Sequence, residues 1–226
     1  MEGVQVMPRP VTVLGQEEAV PLLRRAATAR GVGAASVPRE VGGFGLEITG
    51  PGEVGQLVWG TFAKQDGLLA LFRGGRLLAA ADKALGEIRR VQPLALPGLP
   101  QFAIIVDDRV DEMVGAFARE ERRRIYVWDG RTLRQVYQGI LEGEEYSHAR
   151  WENPRGHNVW RLQRTLGEVG IQGGALTEVT RIQQLEAPGA PDAPLPPSSA
   201  FRMISEKRAE RRLVWNARLR RFDPGT

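Results

Sequence analysis

The spacing of apolar and polar positions changes at Gly31. Before it, Val20, Leu23, Ala26 and Ala27 share one face of a helical period within QEEAVPLLRRAATARG. Glu17 and Glu18 fall in the first turn, Pro21 is tolerated near the start and Gly31 stops the pattern, which predicts a helix. A short strand, VTVLG (Val11–Gly15), precedes it. The apolar face of this helix requires something to pack against.

After Gly31 the apolar residues come in runs of four to seven, cut by glycine and proline. FGLEITG, GQLVWGTFA, GLLALFRGGRLLAAAD, QFAIIVDD, RRIYVWDGRTLRQVYQG and RRLVWNARLRRF all read as strands or hairpins. Leu213, Trp215, Ala217 and Leu219 alternate with Arg212, Val214, Asn216, Arg218 and Arg220. That predicts one half-buried strand with Leu213, Trp215 and Leu219 inward and a basic outer face. RVDEMVGAFAREERRR fits either a helix face through Val110, Met113, Val114 and Phe117, or a strand followed by a loop; the second is preferred.

One scheme recurs along the chain: apolar strand, tight turn, apolar strand. It is clear at Leu69–Leu78, with Gly74-Gly75 at the turn, and at Ile125–Val136, with Asp129-Gly130, a dipeptide suited to a type I′ hairpin. Val159–Ile171 and Leu213–Phe222 are weaker versions. Phe72, Trp128, Trp160 and Trp215 would hold corresponding places. Recurrence on this scale suggests propeller blades or a related array. IYVWDGRTLRQVYQG, preceded by QFAIIVDD, resembles the hairpin unit of FG-GAP or VCBS-type β-propeller repeats. The resemblance covers Gln101–Gly139, is weaker over Glu47–Asp82 and faint after Tyr146. It implies a propeller fold, but calcium is not carried over, because DDRVDE (Asp107–Glu112) lacks the turn glycine of the calcium loop.

The expected fold is therefore mainly β: a small propeller or propeller-like array of about four antiparallel sheets after a strand–helix element, with a β-sandwich as the alternative. Residues 1–36 form the N-terminal element and residues 37–226 the β-repeat domain. The five prolines of 187–200 mark a stiffened loop within it.

Composition narrows the chemistry. The 226 residues are 42% hydrophobic and 26% charged, the balance of a globular chain. The absence of cysteine excludes disulfides, zinc–thiolate sites and thiol nucleophiles. No apolar run is long enough to span a bilayer. The start MEGVQVMPRPVTVLG has no basic end followed by an apolar core, so an exported chain with its leader removed and a cytoplasmic one both fit. Of the net charge of +4, residues 202–226 carry more than all, with eight basic and three acidic side chains. Such a tail favours an acidic partner.

GPGEVG (Gly50–Gly55) matches a dinucleotide-binding pattern, but a strand follows where a helix N-terminus is needed, so it reads as a hairpin turn. None of the five serines lies in G-x-S-x-G. The adjacent acids Asp107 and Asp108, Asp111 and Glu112, and Glu144 and Glu145 would point to opposite faces of a strand. His148 and His157 lie nine positions apart, a separation that fits no helical or finger metal site. No catalytic residue, metal or cofactor is assigned.

EEYSHARWENPRGHNVW (Glu144–Trp160) holds both histidines and two of the five tryptophans. Tyr146, His148, Trp151, Arg155 and His157 are candidates for a binding surface, against the plainer reading of aromatics folded over a sheet edge. Arg212, Arg218 and Arg220 are a second candidate. The leading expectation is a non-catalytic binding or scaffold module for a protein or glycan partner. The alternatives are a hydrolase with acids from separate loops and a nucleic-acid binder using the basic C-terminal hairpin. Oligomeric state is open.

Overall fold

The computed structural model describes residues 12–32, 37–50, 52–63, 66–114 and 117–225. Residues 1–11, Pro51 within GPGEVG, and Gly115 and Ala116 within RVDEMVGAFAREERRR lie outside them.

The chain is mainly β, and its strands form two antiparallel sheets, with neither closed into a barrel. The first holds β1 (Thr12–Val13), β2 (Arg39–Gly50), β3 (Glu53–Phe62), β4 (Asp66–Arg73) and β5 (Arg76–Ala80) in chain order. The second holds β6 (Glu87–Leu94), β7 (Ala103–Glu112), β8 (Ala118–Trp128), β9 (Leu133–His148), β10 (Val159–Gln172), β11 (Ala175–Pro188), β12 (Arg202–Asn216) and β13 (Arg221–Pro224), each beside its chain neighbour. The β-sandwich alternative fits these two sheets, where about four had been expected.

Helix α1 (Gln16–Ala29) forms where the 3.6-residue pattern lies, and Gly31 beyond its end takes φ +67°. Ala19, Leu22, Leu23, Ala26 and Ala27 are its buried residues, and Val20 lies at the margin. They pack on Val58, Phe62, Leu68, Ala70 and Phe72 of the first sheet. The other face of that sheet, through Leu46, Ile48, Leu57, Leu69 and Leu71, meets Ile88, Val91, Ile104, Val106, Tyr126 and Trp128 of the second. β4 is thus apolar on both sides because both sides are covered.

The second sheet is wider than the first. Its outer strands curl so that Leu176 and Trp215 cover Ile105, Ile125, Val127 and Tyr137, on the face away from the first sheet. Hydrogen bonds to the body of the sheet pin this arm down. Arg123 donates to the Val169 carbonyl (3.1 Å), the Tyr137 hydroxyl to Glu178 (2.7 Å) and Arg134 to the Arg220 carbonyl (2.8 Å).

The local expectations fared unevenly. Gly74-Gly75 turns β4 into β5, and Gly50–Gly55 lies at a hairpin between β2 and β3. RVDEMVGAFAREERRR is strand and loop, with β7 running to Glu112 and β8 starting at Ala118. The Asp129-Gly130 turn is a four-residue loop and not a two-residue type I′ turn: Trp128 pairs Leu133, and only Gly130 has positive φ. Asp129 instead accepts the N–H groups of Arg131 and Thr132, both at 2.8 Å. Val159–Ile171 is no hairpin but lies within the single strand β10. The strand through Trp215 stops at Asn216, whose side chain accepts the Leu219 N–H (3.0 Å) and donates to Asp223 (2.8 Å), tying off a turn.

Candidate functional site

β9 and β10 are joined by a one-turn helix, α2 (Ala149–Glu152), and a polar turn. His148 ends β9 and is fully buried. Its Nδ1 accepts the Arg150 N–H (3.1 Å), which caps α2, and its Nε2 lies 2.9 Å from the Gly189 carbonyl. Those partners assign the proton to Nε2. Both ring nitrogens are thereby used, and the imidazole holds the turn to the proline-rich loop. Trp160, also buried, packs edge-on against His148 (5.1 Å) and donates from its indole to the Ala190 carbonyl (3.2 Å).

Tyr146 and His148 are therefore interior side chains, and the exposed loop expected of them is corrected. Their partners at Glu144 and Gly189 fix them. Trp151 differs. Its ring contacts Phe117 (5.5 Å), Trp160 (5.3 Å) and His148 (6.2 Å), yet the residue is 50% exposed. Phe117 adopts φ +54°, an unusual conformation for a bulky residue. The same β7–β8 connection leaves Val114 90% exposed. Arg155 and His157 are exposed on the turn, where Asn153 accepts the Arg155 N–H (3.2 Å). A half-exposed tryptophan fixed by three rings, beside arginine, makes a rigid ledge.

Four buried carboxylates of the second sheet are each held by arginine. Asp107 takes a two-pronged bond from Arg123 (2.7 and 2.8 Å). Asp108, on the opposite face, binds Arg122 (3.1 Å), Arg124 (2.8 Å) and the Gly86 N–H (2.8 Å). Glu144 binds Arg119 (2.6 Å), Arg164 (3.0 Å) and the Tyr146 hydroxyl (2.8 Å). Glu178 binds Arg211 (2.6 Å) and Tyr137 (2.7 Å).

Burial alone would raise Glu144, but the Tyr146 hydroxyl and the charges of Arg119 and Arg164 outweigh it and hold the carboxyl below the usual range. A general acid needs the reverse shift. Burial first, then the Glu178 carboxylate, pushes the Tyr137 phenol up, so it stays a neutral donor. These groups act as ties between strands. Among the described residues no group of three His, Asp or Glu side chains is placed to hold a metal. A depression of about 120 Å³ is lined by Arg109, Arg119, Glu120, Glu121 and Glu142, and a wider, open one of about 800 Å³ lies along Gly170, Gln172, Thr177, Glu210 and Arg212.

The basic hairpin is also rearranged. Arg212 is exposed on β12, but Arg218 and Arg220 sit in the turn after Asn216, so the three do not share a strand face. Trp215 faces inward as expected, whereas Leu219 is exposed because the turn carries it away from the sheet. Arg220 is half-buried at φ +47°, with its guanidinium 3.4 Å from the Trp128 carbonyl.

The feature missed in the sequence is β12 itself, exposed on both faces from Arg202 to Arg212. The signal was an unbroken stretch without glycine or proline, RMISEKRAERR, whose charges hid its strand character.

No protein family, curated protein or solved structure matches this chain.

Proposed function

We propose that this protein is a non-catalytic binding or scaffold module that recognises a protein partner through the Trp151 ledge. The observation carrying this reading is the half-exposed Trp151 ring, held by Phe117, Trp160 and His148. A side chain ordered before binding loses little entropy on docking, and exposed Trp beside Arg is the composition of interface hot spots. Val114 and Phe117 on the neighbouring loop add apolar area, which suits partner side chains better than hydroxyl-rich sugars. The four buried acids Asp107, Asp108, Glu144 and Glu178 support a structural and not a chemical role, since each is paired with arginine. The likeness of Gln101–Gly139 to a propeller blade is compatible with a binding role, although such folds host many activities.

The test is direct binding of a purified candidate partner to the wild type and to Trp151→Ala. The variant should lose roughly thirtyfold in affinity or more, as hot-spot truncations do. A glycan array bound by the wild type and not by Trp151→Ala would move the reading to sugars. Turnover of glycoside or ester substrates that disappears with Glu144→Gln would contradict it.

A further inference from the structure

Among the described residues, only one edge of β12 is paired along most of its length. β11 takes that edge across Arg202–Val214. On the other side β13 reaches only Leu213–Asn216, and the Gly225 N–H closes the edge at the Arg212 carbonyl (2.8 Å). In an antiparallel ladder the N–H and C=O of one residue point the same way, and alternate residues point oppositely. The register with β11 is unbroken from Ser205 to Val214. The peptide groups of Glu206, Arg208 and Glu210 therefore face the open side with Arg212. Those of Lys207, Ala209 and Arg211 face β11, the parity on which the Trp215 N–H reaches the Gly174 carbonyl.

An open edge of this kind templates a further strand. A second copy would meet at least one like-charge contact on it. Antiparallel self-pairing that stays clear of Gly225 and of the bulge at Gln184/Leu185 centres on Glu206, Lys207 or Arg208. Each centre sets a charge against its own copy, and the last also sets Glu206 against Glu210; the Lys207 centre offsets its like-charge contact with two Glu206–Arg208 pairs. Directly opposed like charges destabilise a strand pair. The surrounding arm, with eight basic and three acidic residues over 202–226, attracts the opposite sign. Lys207 stands between the small residues Ser205 and Ala209 and has room for a carboxylate opposite it.

We propose that Ser205–Glu210 receives an extended acidic segment of a partner protein as an additional strand, with one carboxylate of that segment opposite Lys207. Backbone groups of Glu206, Arg208 and Glu210 supply the ladder, and the basic arm supplies selectivity. This rests on the reading of the chain as a protein-binding module but does not use Trp151.

The probe is a synthetic peptide of alternating valine and glutamate, with a valine–lysine peptide as control. The acidic peptide should bind saturably and slow amide exchange at Glu206, Arg208 and Glu210, while the control should not. Lys207→Glu should weaken binding roughly tenfold. Glu210→Pro removes an outward N–H together with an acidic charge. Its charge change alone would favour the acidic peptide, so weaker binding isolates the backbone ladder; an unchanged melting profile shows the fold intact. Equal binding of the lysine peptide, or acidic-peptide binding indifferent to Glu210→Pro, would overturn the proposal. So would a dimer of the free protein that Glu210→Pro abolishes, since the edge would then belong to a second copy. Trp151→Ala should leave peptide binding unchanged, so a failed Trp151 ledge and a failed β12 edge are told apart.

Discussion

β4 and β12 are neighbours in neither space nor character. Leu68–Phe72 of β4 is buried at every position, with Leu68, Ala70 and Phe72 under α1 and Leu69 and Leu71 against the second sheet. Arg202–Arg212 of β12 is exposed at every position. Both are strands in antiparallel sheets, so the ladder alone does not decide what a strand's sequence looks like. Coverage does. A strand covered twice is apolar throughout, one covered once alternates, and one left uncovered is mostly polar and charged, with Met203 and Ile204 exposed among its charges, and is held by its neighbour's hydrogen bonds. The uncovered kind is the one with surface left for a partner.

This contrast predicts a graded set of effects. Phe72→Ala should destabilise the protein by about 3–5 kcal/mol in chemical denaturation, as large buried truncations do. Lys207→Ala on β12 should stay within about 0.5 kcal/mol of wild type. Equal losses at the two sites would break the comparison. Asp108→Asn leaves the buried Arg124 without its counter-charge and should cost about 3 kcal/mol, measured the same way.

Glu144 gives the contrast a pH signature. Its folded pKa lies below the unfolded value, so its contribution is fully present above the ordinary glutamate range, near 4.3. It is lost as pH falls from there through the folded value. The stability gap between wild type and Glu144→Gln should be constant from pH 7 to about 5 and close on further acidification. A gap that widens in acid would mean the carboxyl is held protonated. Gly130→Ala, at φ +102° with open space around it, should cost about 1 kcal/mol through the backbone alone. The smallest change is expected for Arg212, Arg218 and Arg220 replaced together by glutamine, with a melting temperature close to wild type.

Legibility in the sequence followed the same rule. α1 and the β4–β5 hairpin were readable because one or both faces are apolar and glycines mark their ends. β10 was mistaken for a hairpin because Gly167 and Gly170 look like breakers. Gly167 is in fact where the Ile140 backbone comes too close for any side chain, so the glycine marks an approach and not a turn. The burial of His148 was invisible because its partner carbonyl is at Gly189, far along the chain. The pairing of Glu144 with Arg119 and Arg164 depends on the register of β9 with β8 and β10, which one strand's pattern cannot supply. Trp151 was among the candidates, but only the packing of Phe117 and Trp160 separates it from its buried neighbours.

Residue-resolved amide exchange in dilute protein measures coverage itself. The account predicts that Leu68–Phe72 exchange only through global unfolding. Along β12 protection should alternate, with Lys207, Ala209 and Arg211 slowed by β11 and Glu206, Arg208 and Glu210 close to the rates of an open chain. If Glu206, Arg208 and Glu210 are as protected as Leu68–Phe72, the edge is already covered, and the distinction between the two strands is lost.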